Sequence, residues 1–225
     1  MKNINKINIL KSKLQKVNKL DDMTDEELAE LLIALSDGED TVQTDSCVDY
    51  ARREIKIVGV LDESTANKYI LPIIKMNQED DERELPEEER IPIKLYIACD
   101  GGDDRYGFAL IDIIKASKTP VYGIVISHAY SMGALLPMAC HYKACYPNST
   151  FLIHDGTTGN QNSIGKFIDY FPFVIKREKL VKKYIVNHTT ISKKLMNKNY
   201  TKEWWMTAEE ALEYGLIDEI ITKII

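Results

Sequence analysis

Three apolar stretches, separated by helix-forming runs, limit what this chain can fold into more than any other feature. Arg53–Val60 alternates and then turns apolar, Ile91–Cys99 is largely apolar, and Val121–Ile126 is an apolar run. Segments of this length and composition read as buried strands. Between them, Ser64–Met76 reads as a helix interrupted at Pro72, and Gly107, Leu110, Ile111 and Ile114 mark one face of another. Strands alternating with helices need crossover connections, and right-handed crossovers build a parallel sheet covered by helices. An α/β fold is the expectation.

The flanking segments fit that plan. Residues 1–22 read as an arm, and Thr24-Asp25-Glu26-Glu27 is a capping box before Leu28, Leu31, Leu32 and Leu35, a short amphipathic helix. Residues 1–48 are thus expected to stand apart from a main domain over 49–225. Residues 78–90 hold eight carboxylates, two arginines and one proline. They read as a solvated loop, because like charges this close repel unless water screens them. Lys143–Tyr146 and Thr150–His154 are short strands around Pro147-Asn148-Ser149. Ser163 to about His188 is a long helical stretch strained at Pro172. Thr207-Ala208-Glu209-Glu210 is a second capping box with Gly215 beyond it, and Leu216–Ile221 closes as a strand.

Composition excludes several function classes. With 225 residues, 44% hydrophobic and 28% charged, the chain has enough apolar material for one sizeable core. Its net charge of −6 disfavours nucleic acid and anionic membrane as partners, since both need a basic face. No apolar window long enough for a membrane span and no secretory leader are visible, so a cytoplasmic setting is expected. Cys47, Cys99, Cys140 and Cys145 form no CxxC pair, and four histidines without a metal-ligand spacing argue against a metal. No cofactor is expected.

The chemistry centres on Ser131. It follows an apolar strand and precedes a run of helix formers, a junction that aims free backbone N–H groups at whatever the serine attacks. Ser is also a favoured helix cap, so the junction alone decides nothing. Gly101-Gly102 ends the neighbouring strand. Parallel neighbours put their C-terminal ends on one edge, where open sheets bind ligands. His154 ends Phe151-Leu152-Ile153 on the same edge, and a histidine there could take a proton from the serine. A carboxylate should hold that histidine's tautomer. Asp155, Asp169, Glu203 and Asp218 are all candidates.

Taken in order, these pieces resemble the Clp protease proteolytic subunits, the ClpP family of serine peptidases. The matching motifs are Arg53–Val60 with Ala66-Asn67, the Gly-Gly turn, Ala129-Tyr130-Ser131-Met132-Gly133-Ala134, Pro147-Asn148-Ser149, Leu152-Ile153-His154, and Thr207-Ala208-Glu209-Glu210-Ala211 with Tyr214-Gly215-Leu216-Ile217-Asp218. They span about residues 50–222. The resemblance implies a ClpP/crotonase-like fold, a repeated ββα superhelix with a parallel sheet and a protruding handle helix at about 160–200. It implies Ser131 as nucleophile, His154 as base, and Gly102 and Met132 as backbone oxyanion donors. The family's aspartate position holds Glu203, which makes Glu203 the implied acid. Peptide would add as a strand between Gly102–Arg105 and Gly156–Gly159, giving Gly101, Asp103, Arg105, Gly156 and Thr157 as substrate-binding residues.

The resemblance further implies a homo-oligomer of two stacked heptameric rings that cleaves polypeptide. An AAA+ unfoldase would dock on Tyr96, Ile124, Ile126 and Tyr146, although Lys94 and Ala144 match that pattern poorly. The chain shows no P-loop, so ATP would be spent by the partner. Departures from the family pattern are also visible. Its ring-sensing Asp-Arg pair aligns with Thr201-Lys202, the acidic stretch at 78–90 is an insertion, and the axial N-terminal hairpin has no counterpart. A catalytically weak scaffold subunit and a crotonase-like acyl-CoA enzyme are the rival readings. The Lys/Asn/Ile-rich composition suits a bacteriophage-encoded member as well as a bacterial one.

Overall fold

The computed structural model describes residues 47–157 and 163–225. The expected arm and leucine-faced helix of residues 1–48 lie almost wholly outside the described residues. From Cys47 onward the chain packs as one unit.

Among the described residues its sheet has eight strands: β1 (Val48–Asp49), β2 (Glu54–Leu61), β3 (Ile93–Gly102), β4 (Val121–Tyr130), β5 (Tyr142–Cys145), β6 (Thr150–Ile153), β7 (Trp204–Met206) and β8 (Glu219–Ile220). The strand order is β1-β2-β3-β4-β5-β8, with β6 pairing β4 and β7 pairing β6. Pairing is parallel except at β1–β2 and β6–β7. The three apolar runs form the parallel centre, β2-β3-β4, although β2 buries only one face and leaves Val58 and Val60 exposed. Ile55, Ile57, Leu95, Ile97, Val121 and Val125 are buried there.

Strand β4 forks. Its first half, Tyr122–Val125, pairs with β5, and its last three residues, His128–Tyr130, pair with β6. The fork lets a short strand, β6, reach the edge where β4 ends, and this brings distant segments to one site.

The helices are α1 (Leu71–Glu82), α2 (Asp104–Ala116), α3 (Met132–Leu135), α4 (Ile164–His188), α5 (Lys193–Asn199) and α6 (Ala208–Glu213). A π-turn, Ala66–Ile70, leads into α1, with Pro72 in its first turn, where a missing N–H costs nothing. α2 buries the predicted face, Gly107, Leu110, Ile111 and Ile114. Thr207 and Glu210 close the predicted capping box on α6, and Gly215 takes the left-handed φ of 75° beyond it.

Two expectations need correction. The acidic stretch is not a solvated loop throughout. α1 runs on through Gln78–Glu82, and Asp80 is buried, accepting from both Nη atoms of Arg53 (3.1 and 2.7 Å) and from Thr119 Oγ1 at 2.7 Å. Asp81 takes Arg90 and Lys118. Arg53, from a distant segment, balances the buried Asp80, and Arg90 and Lys118 pair with the part-exposed Asp81. The closing strand is also shorter than expected, with only Glu219–Ile220 paired.

α4 runs unbroken through Pro172 for 25 residues and buries only Ile185. Ile164, Phe167, Ile168, Phe171 and Phe173 are exposed along it. Among the described residues no helix is long and apolar enough to cross a membrane. The chain has the mixed α/β architecture with a mostly parallel sheet that the sequence pattern implies.

Candidate active site

β3, β4 and β6 run parallel and end on one edge. Gly101-Gly102, Ser131 and His154 stand at those three ends. β7 runs antiparallel to β6, so Glu203, immediately before it, returns to the same edge.

Ser131 is held in a strained backbone state, φ 53° and ψ −122°. A left-handed φ is costly for a residue with a Cβ. Here it turns the chain sharply from β4 into α3. The Ser131 N–H donates to Leu152 O at 2.9 Å, tying the turn to β6 two residues before His154. Met132 is the first residue of α3, and helix-initial amides have no intrahelical acceptor. Its N–H is therefore available to an anion next to Ser131.

Gly101 and Gly102 take φ values of 100° and 133°. A Cβ on Gly101 would lie 2.7 Å from Ser131 Cβ and 2.8 Å from Tyr130 O. Only glycine lets the two turns touch. Asp103 then caps α2, accepting from Arg105 N at 2.9 Å, and pairs with the Arg105 guanidinium. That hydrogen bond holds the Asp103 carboxyl below the usual carboxylate range. Arg177 of α4 donates to Asp104 Oδ2 at 2.8 Å and lies over Phe108, fastening α2 to α4.

His154 is half-buried, one residue past β6. Asp155 N–H donates to Tyr200 O at 2.8 Å, which directs the following residues away from β6. Gly156 passes close to Glu178 of α4. Thr157 is exposed, and the rest of the expected peptide-binding segment lies outside the described residues.

The β6–β7 register pairs Phe151 with Met206, Leu152 with Trp205 and Ile153 with Trp204. The ladder ends there, with His154 and Glu203 the residues just beyond its last rung. The Glu203 carboxylate, however, accepts from the Trp205 indole Nε1 at 3.2 Å. Among the described residues no hydrogen bond joins Ser131 Oγ to His154, or His154 to Glu203. The fold thus brings the expected residues to one edge without closing the hydrogen-bond relay.

A surface chain beside this edge escaped the sequence reading. Tyr130, Leu152 and Trp205 share one rung across β4, β6 and β7. Tyr130 and Trp205 meet edge to face, with centroids 5.2 Å apart at 81°. Tyr130 Oη and Thr150 Oγ1 are 2.7 Å apart, and His128 stacks on Tyr130 at 4.7 Å. His128 Nε2 lies 3.1 Å from Asp100 Oδ1, next to the glycine turn. The sequence carries a signal for it: Tyr130 adjoins Ser131, and Trp204-Trp205-Met206 is a short run of strand formers.

On the far side of the sheet, Ile124, Ala144 and Ile221 form a small buried cluster with Tyr96, Tyr142 and Tyr146 against it. Tyr96 Oη donates to Ile225 O at 3.0 Å, and Ile126 is exposed.

The family model described as Clp protease matches residues 38–224. The chain belongs to the Clp protease family. Curated members similar to it include ATP-dependent Clp protease proteolytic subunits of Deinococcus radiodurans, 31% identical over 161 residues, covering 70% of this chain and 74% of that protein. The Streptococcus mutans subunit is 28% identical over 173 residues, covering 75% and 84%. A proteolytic subunit 2 of Treponema denticola is 27% identical over 170 residues, covering 75% and 81%.

Proposed function

We propose that the chain is a serine endopeptidase, the proteolytic ring subunit of a chambered protease. Ser131 Oγ attacks the scissile carbonyl carbon as His154 takes its proton. The oxyanion sits on the N–H groups of Gly102 and Met132. His154 then gives the proton to the leaving amine, and water hydrolyses the acyl-Ser131 ester by the same route in reverse. Glu203 holds the imidazole. Peptide lies as an added strand between Gly101, Asp103 and Arg105 on one side and Gly156 and Thr157 on the other.

The observation that carries this reading is the Ser131 turn: φ 53°, bonded to Leu152 O, beside Gly101 and the free amide of Met132. A capping serine needs none of that strain. The exposed aromatic row of α4 supports stacking of two heptameric rings, since apolar surface of this extent calls for a cover. The Tyr96, Ile126 and Tyr146 face is the docking surface for a partner ATPase, with the expected Ile124 buried beneath it rather than on it, and residues 1–48 form an arm outside the peptidase domain over 49–225. The enzyme works in the cytoplasm and needs no cofactor.

One observation favours a second reading, a weak or silent scaffold subunit: the Glu203 carboxylate is bonded to Trp205 and not to His154. A fluorophosphonate separates the two. An adduct on Ser131 that vanishes in His154→Ala is expected for the peptidase. An assembled ring that takes no adduct means the scaffold.

A further inference from the structure

We propose that Trp205 is a positioning residue for Glu203: its indole N–H anchors Oε2 of the carboxylate and leaves Oε1 as the acceptor for His154. The inference rests on the Ser131–His154–Glu203 reading given above.

Four observations carry it. Trp205 Nε1 donates to Glu203 Oε2 at 3.2 Å, and an ionised carboxylate has acceptor capacity on both oxygens. His154 and Glu203 each adjoin the last β6–β7 rung, Ile153 with Trp204, so both leave the sheet at the same end and the carboxylate needs direction. Glutamate has one more rotatable bond than the aspartate found in this family, and an untethered carboxylate spreads over more rotamers. Finally, the indole is itself fixed. It meets the Tyr130 ring edge to face, and the Tyr130 hydroxyl is bonded to Thr150. Tyr130 is the residue before the nucleophile. The group that steers the acid therefore leans on the strand that delivers the serine, and one displacement would misplace both.

The longer acid and the indole belong together in this view. Trp205 takes up the freedom that the extra methylene introduces. Its i+2 spacing from Glu203 puts both side chains on the same face of the strand, which lets the N–H reach back.

The test uses the full chain and a fluorophosphonate, reading the rate of Ser131 labelling against pH. Trp205→Phe keeps a ring against Tyr130 and removes only the N–H. Trp205 is half exposed, so the change leaves the fold intact. The expected result is a loss of roughly tenfold in the limiting rate, the size of effect that small misplacements of catalytic groups produce. The acid limb of the profile should move to lower pH, because the imidazolium loses its partner. In a Glu203→Gln background, the same Trp205→Phe change should alter the rate by less than about twofold, since the two residues act as one unit. An equal loss in both backgrounds, or an unchanged rate and pH profile in the single variant, overturns the inference. Absence of His154-dependent labelling in the unaltered chain overturns the peptidase reading itself and this inference with it. Labelling at the same rate with and without the indole N–H overturns this inference alone.

Discussion

At the scale of single residues, Asp80 and Ser131 show opposite ways of holding a side chain where it is needed. Asp80 is buried and closed in by Arg53 and Thr119. Removing one partner of such a pair strands the other charge in the interior. Asp80→Ala should therefore lower stability by about 3–5 kcal/mol in urea unfolding. It should leave Ser131 labelling of the folded protein unchanged, because the pair lies at the start of β2, far along the strands from the serine. Ser131 is instead held by backbone strain on a turn that a glycine makes room for. The sequence suggested the serine, since the apolar run before it and the helix formers after it mark a strand–helix junction. It did not reveal Asp80, which sits among seven other carboxylates of the same stretch. Charge runs are read as solvated unless the tertiary partner is known, and Arg53 is 27 residues away.

At the scale of elements, the parallel centre was legible because its strands are apolar or alternating runs of five or more residues between helix-forming segments. The short pieces at its margin were not. β7 has three residues and α5 seven, too few for periodicity to declare itself. The register between β6 and β7, which brings Glu203 and His154 to the same end of the pair, could come only from coordinates. The same centre makes a prediction about its thiols. Burial pushes Cys99 in β3 and Cys145 in β5 from an ordinary 9.0 up to about 11. The folded state therefore favours the protonated thiol. That contribution is fully present below about pH 9 and is lost as pH rises through about 11, because the unfolded chain ionises first. Urea midpoints should fall over this window, and at about pH 8 neither thiol should react with a disulfide reagent until the protein is unfolded. Stoichiometric modification of Cys99 in the native state would contradict this account.

At the scale of the whole molecule, α4 is the element whose apolar side the rest of the described chain leaves open. If it interlocks two rings, replacing Phe171 and Phe173 together with glutamate should halve the sedimenting mass and leave each ring intact. An unchanged mass would assign that surface another role. The fork in β4 has its own consequence. The strand's first half, Tyr122–Val125, answers to β5, and its last residue, Tyr130, stands just before Ser131 on the β6 side. Between the two halves the pairing with β3 shifts register, from Ile97 with Val125 to Cys99 with Ala129. The strand is therefore jointed rather than straight, and a tilt of its first half has that joint to cross before it reaches the serine.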